Sequence, residues 1–376
     1  MPKFTISFAL FLITFAVNVA MPLFRPMAAA AGLNNGQTAL VLSFYIAGML
    51  PCYVLLGGIS DRLGRKPVLI FSLFCAFVSN LLLTISPNIE ALIVARVLQG
   101  VGLALSMGTG TAYLAEVLRH QPDSATQAAN AAARATSIGF GGGPFVTTLV
   151  LVICFTFKPI TLPIATLLTA AGLLLCLRLP NLPPVGGALV RLPYFPTGSG
   201  IVNTAIGICW GATSVVIAVV PTQMAKFDLQ AYAGLCPALI AGTGAIIQPY
   251  IRRRFDPNFS IKLGFALAPL GFGITIWGCA LGFLPLLLFG TFLIGTAAYG
   301  FTYQGGLAII SNLGGQQRAR AVSGFMFVGY VGFGLPPVVV GYLADWLGII
   351  NGLLLFEIAI ILLSFWLFLR FKELKL

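Results

Sequence analysis

The densest cluster of chemistry-capable side chains is Gly57-Gly58-Ile59-Ser60-Asp61-Arg62-Leu63-Gly64-Arg65-Lys66, one carboxylate beside three cations. This run can pair ions. Asp61 can face the positive end of a helix amino terminus, Arg65 offers a rigid fork for a carboxylate, and Gly64 permits a tight turn. A second polar set, Arg96 and Gln99, lies inside an apolar run. Covalent catalysis would need paired carboxylates, several histidines or a Ser-His set. The single histidine, His120, sits in a polar loop, and the acids are scattered: Asp61, Glu90, Glu116, Asp123, Asp228, Asp256, Asp345, Glu357 and Glu373. The seven cysteines all fall in apolar runs and form no CxxC, so neither a disulfide nor a metal site is expected. No charged ring or repeated filter segment suggests a channel. The expected chemistry is therefore ion pairing and hydrogen bonding, with no cofactor and no enzymatic step.

The elements that must position these groups follow from composition. The 376 residues are 59% hydrophobic and 8% charged, and the mean hydropathy is +1.00. A soluble domain carries about 25% charged residues, so a soluble enzyme or a disordered chain is excluded and the solvent is a lipid bilayer. The net charge of +12 does not indicate nucleic acid, because the cations sit in short clusters between apolar runs. With about 20 apolar residues needed per crossing, twelve spans are predicted at 4–24, 38–59, 67–86, 90–118, 124–153, 159–178, 200–222, 230–250, 260–281, 285–310, 321–342 and 350–370. The first is too long for a signal-peptide core and reads as an uncleaved helix. Sixteen of the 21 Lys and Arg, Lys372 and Lys375 among them, fall on the side of the amino terminus. Only Arg25, Lys158 and Lys226 fall on the other, which predicts both termini inside. The longest polar stretch, rich in Pro and Gly with Arg191 as its one charge, reads as a linker over 181–199. It separates an amino-terminal six-helix bundle, 1–180, from a carboxy-terminal one, 200–376.

An internal repeat supports two halves. Gly139, Phe140, Gly141 and Pro144 in span five match Gly332, Phe333, Gly334 and Pro337 in span eleven at an offset of 193 residues. The same offset carries Gly102 and Ala104 in span four to Gly295 and Ala297 in span ten. Parallel six-helix repeats of this kind occur in transporters that bind substrate between halves and rock around it.

The Gly57–Lys66 run resembles the GxxxDRxGRR/K signature of the major facilitator superfamily, and the resemblance extends over the whole chain: twelve spans, central linker, signature after span two. It implies an all-α membrane fold of two pseudo-symmetric six-helix bundles. It also implies a charge network that locks the cytoplasmic gate, with Asp61, Arg62, Gly64 and Arg65 as its signature residues. Glu116 stands at the inner end of span four, where the family commonly has a partner for that arginine. The corresponding loop of the second half, Pro249 to Asp256, keeps three arginines but lacks the Asp-Arg-x-Gly core, so the gate is expected to be asymmetric. Arg96-Val97-Leu98-Gln99-Gly100-Val101-Gly102 is similar to the family's RxxQGxG pattern, linked with proton coupling. Gly139-x-x-x-Gly143-Pro144 is similar to part of the antiporter motif, with Thr147 and Thr148 where paired glycines should be. Gly143, Pro144, Pro336 and Pro337 are expected as helix-kink positions.

Helical spacing sorts polar residues into stripes: Thr14, Asn18, Met21 and Arg25 in span one; Arg96, Gln99 and Met107 in span four; Gln127, Asn130 and Arg134 in span five; Asn203, Trp210, Ser214 and Pro221 in span seven; Tyr299, Thr302 and Tyr303 in span ten. In the family, spans one, four, seven and ten line the cavity. Substrate contacts are accordingly expected from Asn18, Arg25, Arg96, Gln99, Arg134, Asn203, Trp210, Tyr299 and Tyr303. With Arg96 and Arg134 in the expected cavity and no carboxylate among these candidates, the expected substrate is small, organic and neutral or anionic. Glu357, the one acid deep in a span, and Glu116 are the candidate proton-coupling groups. The expected function is proton-coupled export by a monomeric secondary transporter of the plasma membrane, a bacterial inner membrane. The alternative is uptake, uniport or exchange of an organic anion. Its partners are the small-molecule substrate, protons and the lipid bilayer, not nucleic acid.

Overall fold

The structure, a computed structural model, describes residues 2–86, 88–154 and 160–371. Lys158, Lys372, Lys375 and Glu373, used above, lie outside them. The described residues are helical, joined by turns and short irregular segments, with no strand among them. Eleven helices are long and apolar enough to cross a membrane: Pro2–Ala30, Asn35–Leu55, Arg65–Ile85, Ile89–Val117 and Ser124–Cys154 are spans one to five, and Ser199–Ala225, Gln230–Arg254, Pro257–Leu281, Leu284–Leu313, Gly315–Leu347 and Ile349–Phe371 are spans seven to twelve. Span six is a shorter apolar helix, Thr161–Cys176.

The chain divides into two compact units. One comprises Met1–Ala31 and Phe44–Arg191, the other Gly32–Ser43 and Leu192–Leu376. In the first, span one packs against spans four, five and six, and its Ile6, Leu10, Leu12 and Ile13 are fully buried. In the second, span seven packs against span eleven, and Phe265, Phe272 and Phe325 fill the interior. The start of span two belongs to the second unit for a reason visible in its hydrogen bonds. Asp345 accepts from the Asn35 amide at 2.9 Å, the Asn35 side chain at 2.7 Å and the Gly36 amide at 2.8 Å. That carboxylate satisfies amides that a helix amino terminus otherwise leaves unpaired.

Prolines set the breaks. Span one is helical over Pro2–Asn18, turns at Val19 and Ala20, and resumes as Met21–Leu23 and Phe24–Ala30. Pro22 has no N–H for the Asn18 carbonyl, so the ladder stops there. Span seven likewise divides into Ser199–Ala218 and Val220–Ala225, one residue before Pro221. Pro144, Pro336 and Pro337 instead lie within unbroken helices.

The repeat is carried by contacts as well as letters. A Cβ at Gly139 would strike the Thr14 hydroxyl, and a Cβ at Gly332 would strike the Gly207 backbone. Both members of the second pair lie 193 residues beyond the first. A Cβ added at Gly143 would likewise lie 3.2 Å from the Asn18 carbonyl carbon, and one added at Gly211 would lie 3.1 Å from Pro336 Cγ, again at that offset. Small residues let the backbones of spans one and five, and of seven and eleven, approach closely. The second predicted correspondence does not carry its contact: Gly102 faces Ser72 and Cys75 in span three, whereas Gly295 faces Ile240 in span eight.

Candidate functional site

The signature forms a short helix, Ile59–Leu63, joined to span three through Gly64. Gly64 has φ +92°, a left-handed conformation that a side chain would strain. The turn delivers Arg65 between two carboxylates. Its Nη1 lies 2.5 Å from Asp61 Oδ1, and its Nε donates to Glu116 Oε1 at 2.8 Å. The Ser60 hydroxyl takes a further bond from Nη1 at 2.7 Å. Asp61 and Arg65 are nearly buried, with side chains about one-tenth exposed, while Glu116 is 28% exposed. In so sheltered a position the ion pairs are screened far less than on an open surface. Arg62 points outward and donates to the Gly187 carbonyl at 2.8 Å. One member of the cluster was not anticipated. Arg191, the only charge in the linker, pairs with Asp61 Oδ2. That lone charge was the available signal. The loop between spans eight and nine builds nothing similar: Asp256 caps span nine through the Asn258 and Phe259 amides, and Arg254 lies over the Tyr250 ring.

Arg96 is buried in the core of the first unit, with 2% exposure. Its Nη1 donates to Gln99 Oε1 at 2.9 Å and approaches the Val17 carbonyl at 3.4 Å. Val17 belongs to the last turn before the break in span one, so its carbonyl is at the negative end of a helix. The guanidinium also lies 4.8 Å from the Tyr45 ring centroid and 5.2 Å from that of Phe24. Backbone, amide and aromatic faces thus all stabilise the cation. Tyr45 and Phe24 were not predicted; aromatic residues are too frequent in apolar spans to signal a role. The Gln99 Nε2 remains buried without a partner.

Two parts of the expected stripes do not form. Arg25 lies beyond the break at Asn18, so no single helical face runs from Thr14 to Arg25. Asn18 is buried and donates to the Thr14 carbonyl of its own helix at 2.9 Å. Arg134 is exposed, in contrast to buried Arg96. In span five, Gly139 and Gly143 serve close packing on span one. Thr147, at a position where the motif has glycine, donates to the Val19 carbonyl at 2.7 Å. The hydroxyl answers a carbonyl at the break in span one.

The second unit gathers aromatic rings around Trp210. Tyr299 and Tyr303 stack on it with centroids at 5.4 Å and 6.4 Å, and Tyr330 meets it edge-on at 5.1 Å. Tyr299 lies in a π-helical turn, Thr296–Thr302. Such turns disturb the i→i−4 ladder and frequently accompany functional sites; here Gln248 donates to the Tyr299 carbonyl at 3.0 Å. The π turn also places Thr302 apart from the two tyrosines, against Cys209 at 3.3 Å and close to Gly264. Asn203 donates to the Ser199 hydroxyl at 3.2 Å, while its Oδ1 and the Trp210 Nε1 are buried and without a partner. Tyr330 was not predicted, because span eleven lies outside the five spans whose polar stripes give the expected contacts.

Glu357 is buried in span twelve, which packs on span nine. A Cβ added at Gly273 would lie 3.2 Å from its Oε1, and its Oε2 has no hydrogen-bond partner.

This architecture can be set beside known proteins. The model of the Major Facilitator Superfamily matches residues 6–312. The chain is 35% identical over 112 residues to the chloramphenicol resistance protein CraA of Acinetobacter baumannii, covering 29% of this chain and 27% of that one. It is 31% identical over 87 residues to the multidrug resistance protein MdtL of Shewanella sp. (strain ANA-3), covering 23% and 22%. The matched stretches thus span only about a quarter of these relatives. In structure, the nucleoside transporter NupG superimposes with a TM-score of 0.78 at 16% identity, over 99% of each chain. The human organic anion transporter MFSD10 (TETRAN) does so with a TM-score of 0.65 at 19% identity, over 97% and 98%. The signature turn, the helical spans and the match over most of the chain agree: this protein belongs to the Major Facilitator Superfamily and is a multi-pass membrane protein of that fold.

Proposed function

We propose that this protein is a secondary transporter that works by alternating access and exports a small neutral or anionic organic compound in exchange for protons. The observation that carries the substrate class is Arg96. A cation in the core of a membrane helix bundle costs several kcal/mol unless it is paired or hydrated, and its field repels a second cation while attracting an anion. The aromatic group around Trp210 offers flat apolar faces with an unpaired donor and acceptor nearby. Similarity to two resistance proteins supports export. The positive-inside balance supports a cytoplasmic location for both termini, and the short loops and bacterial relatives support an inner membrane. We assign the Asp61–Arg65–Glu116 cluster to the gate, Gly143, Pro144, Pro336 and Pro337 to helix bending, and Glu357 with Glu116 to proton coupling. A monomer suffices for this mechanism.

The test uses purified protein in proteoliposomes with a pH-sensitive dye inside, an imposed pH gradient, and a panel of anionic, neutral and cationic compounds. Compound-dependent proton movement, lost in Asp61→Asn and confined to anionic and neutral compounds, is the expected result. Efficient movement of lipophilic cations overturns the substrate class. Uptake of a labelled anion with a silent dye replaces the antiport reading with uniport or anion exchange.

A further inference from the structure

The linker is docked rather than slack along Gly186–Arg191. Gly186 N–H donates to the Asp61 carbonyl at 2.8 Å, and the Leu189 carbonyl accepts from Gly58 N–H at 2.9 Å. Arg191 N–H reaches the Val54 carbonyl at 3.4 Å, in the last turn of span two, where helix carbonyls lack partners of their own. Arg62 adds its bond to Gly187. The approach is so close that a Cβ at Gly58 would run into the Ala188 carbonyl. Gly186 and Gly187, at φ +80° and +122°, give the strap a path that other residues would resist.

The electrostatics make this more than a resting place. Asp61 divides its two oxygens between Arg65, from the signature, and Arg191, from the linker. The four side chains Asp61, Glu116, Arg65 and Arg191 form a charge-balanced set, and without Arg191 that set carries a net negative charge. The next residues of the chain are held elsewhere: the Leu192 carbonyl accepts from Arg320 Nε at 3.0 Å, and Tyr194 N–H donates to the Arg320 carbonyl at 3.0 Å, both within the second unit. No free residue separates Arg191 from Leu192.

We propose that Arg191 is a positioning residue of the gate, and that the segment Gly186–Arg191 is a strap whose docking on the signature holds Asp61 in place. The assignment rests on the gate reading of the signature, but docking can be read without transport. Hydrogen exchange followed by mass spectrometry, on the full chain in lipid nanodiscs, reports the amides of the strap and of Gly58–Arg65. Arg191→Gln is expected to speed exchange in both segments by about fivefold, the worth of one partly exposed ion pair. Arg191→Lys restores protection to within about twofold, since charge is kept and only the planar fork is lost. Asp61→Asn gives the same exchange as Arg191→Gln, and the double variant adds nothing further, as expected for residues that act through one contact. Arg178→Gln, an exposed change outside the strap, leaves both segments unaltered. Unchanged protection in Arg191→Gln, no rescue by lysine, or additive effects in the double variant would each overturn the proposal. Loss of docking together with unaltered transport would leave the strap as a structural tie and overturn its gate role. Absence of transport in the wild type, with the exchange results as expected, would sink the transporter reading and leave the strap in place.

Discussion

Replacing Arg96 by methionine separates what the residue does for the fold from what it does for the substrate. The substitution removes a charge-assisted bond to Gln99 and two cation–π contacts. The first is worth about 1.5–3 kcal/mol and the others about 0.5–2 kcal/mol each. Against this, methionine avoids burying a cation in the membrane core, a cost of about 2.5–3.5 kcal/mol on insertion scales. Methionine also fills most of the space with a flexible apolar chain. These contributions nearly cancel, so thermal stability in detergent, followed by tryptophan emission, is expected to stay within about 2 kcal/mol of the wild type. Recognition does not cancel. An anion about 4 Å from the guanidinium, at an effective dielectric constant of about 20, gains about 4 kcal/mol, roughly a thousandfold in affinity. The proteoliposome assay should show the apparent KM for anionic compounds rising by a hundredfold or more, with neutral compounds little affected. A variant that unfolds, or one that loses neutral and anionic compounds alike, would refute the argument that the charge is kept for the ligand.

Two other substitutions test separate parts of the molecule. Gly332→Ala is expected to destabilise by about 1–3 kcal/mol, because its Cβ would meet the Gly207 backbone, which has no rotamer to yield. Gly108→Ala, in span four with no atom within 4 Å of the new Cβ, is expected to be neutral or stabilising by up to about 1 kcal/mol. Equal melting temperatures for the two would discredit the packing account of the repeat. In Glu357→Gln, proton movement in the dye assay should stop while downhill movement of the compound continues. Intact coupling would remove Glu357 from the proton path and leave its burial as a structural matter.

Much of this molecule is legible in the residues taken alone. Hydropathy and charge placement suffice for the twelve spans, because a bilayer permits few alternatives to an apolar helix of fixed length. The Asp61–Lys66 signature is a local turn, so its residues meet by chain geometry alone, and Glu116 could be named as a partner only through the family pattern. The glycine pairs announced the repeat, since close backbone approach demands the smallest residue wherever it occurs. Tertiary structure decided the rest. Arg25 and Asn18 separate because Pro22 interrupts the helix, an effect that a face drawn at constant pitch ignores. Thr147 replaces a motif glycine because a carbonyl at the broken end of span one needs a donor, and that need arises only once spans one and five are packed. In the π turn that carries Tyr299, the Tyr299 carbonyl takes its bond from Gln248 of another helix. Arg191 is an ordinary linker residue until the strap folds back 130 positions to Asp61. Contacts of such separation are set by packing and by unsatisfied backbone groups, which no periodicity in the sequence records.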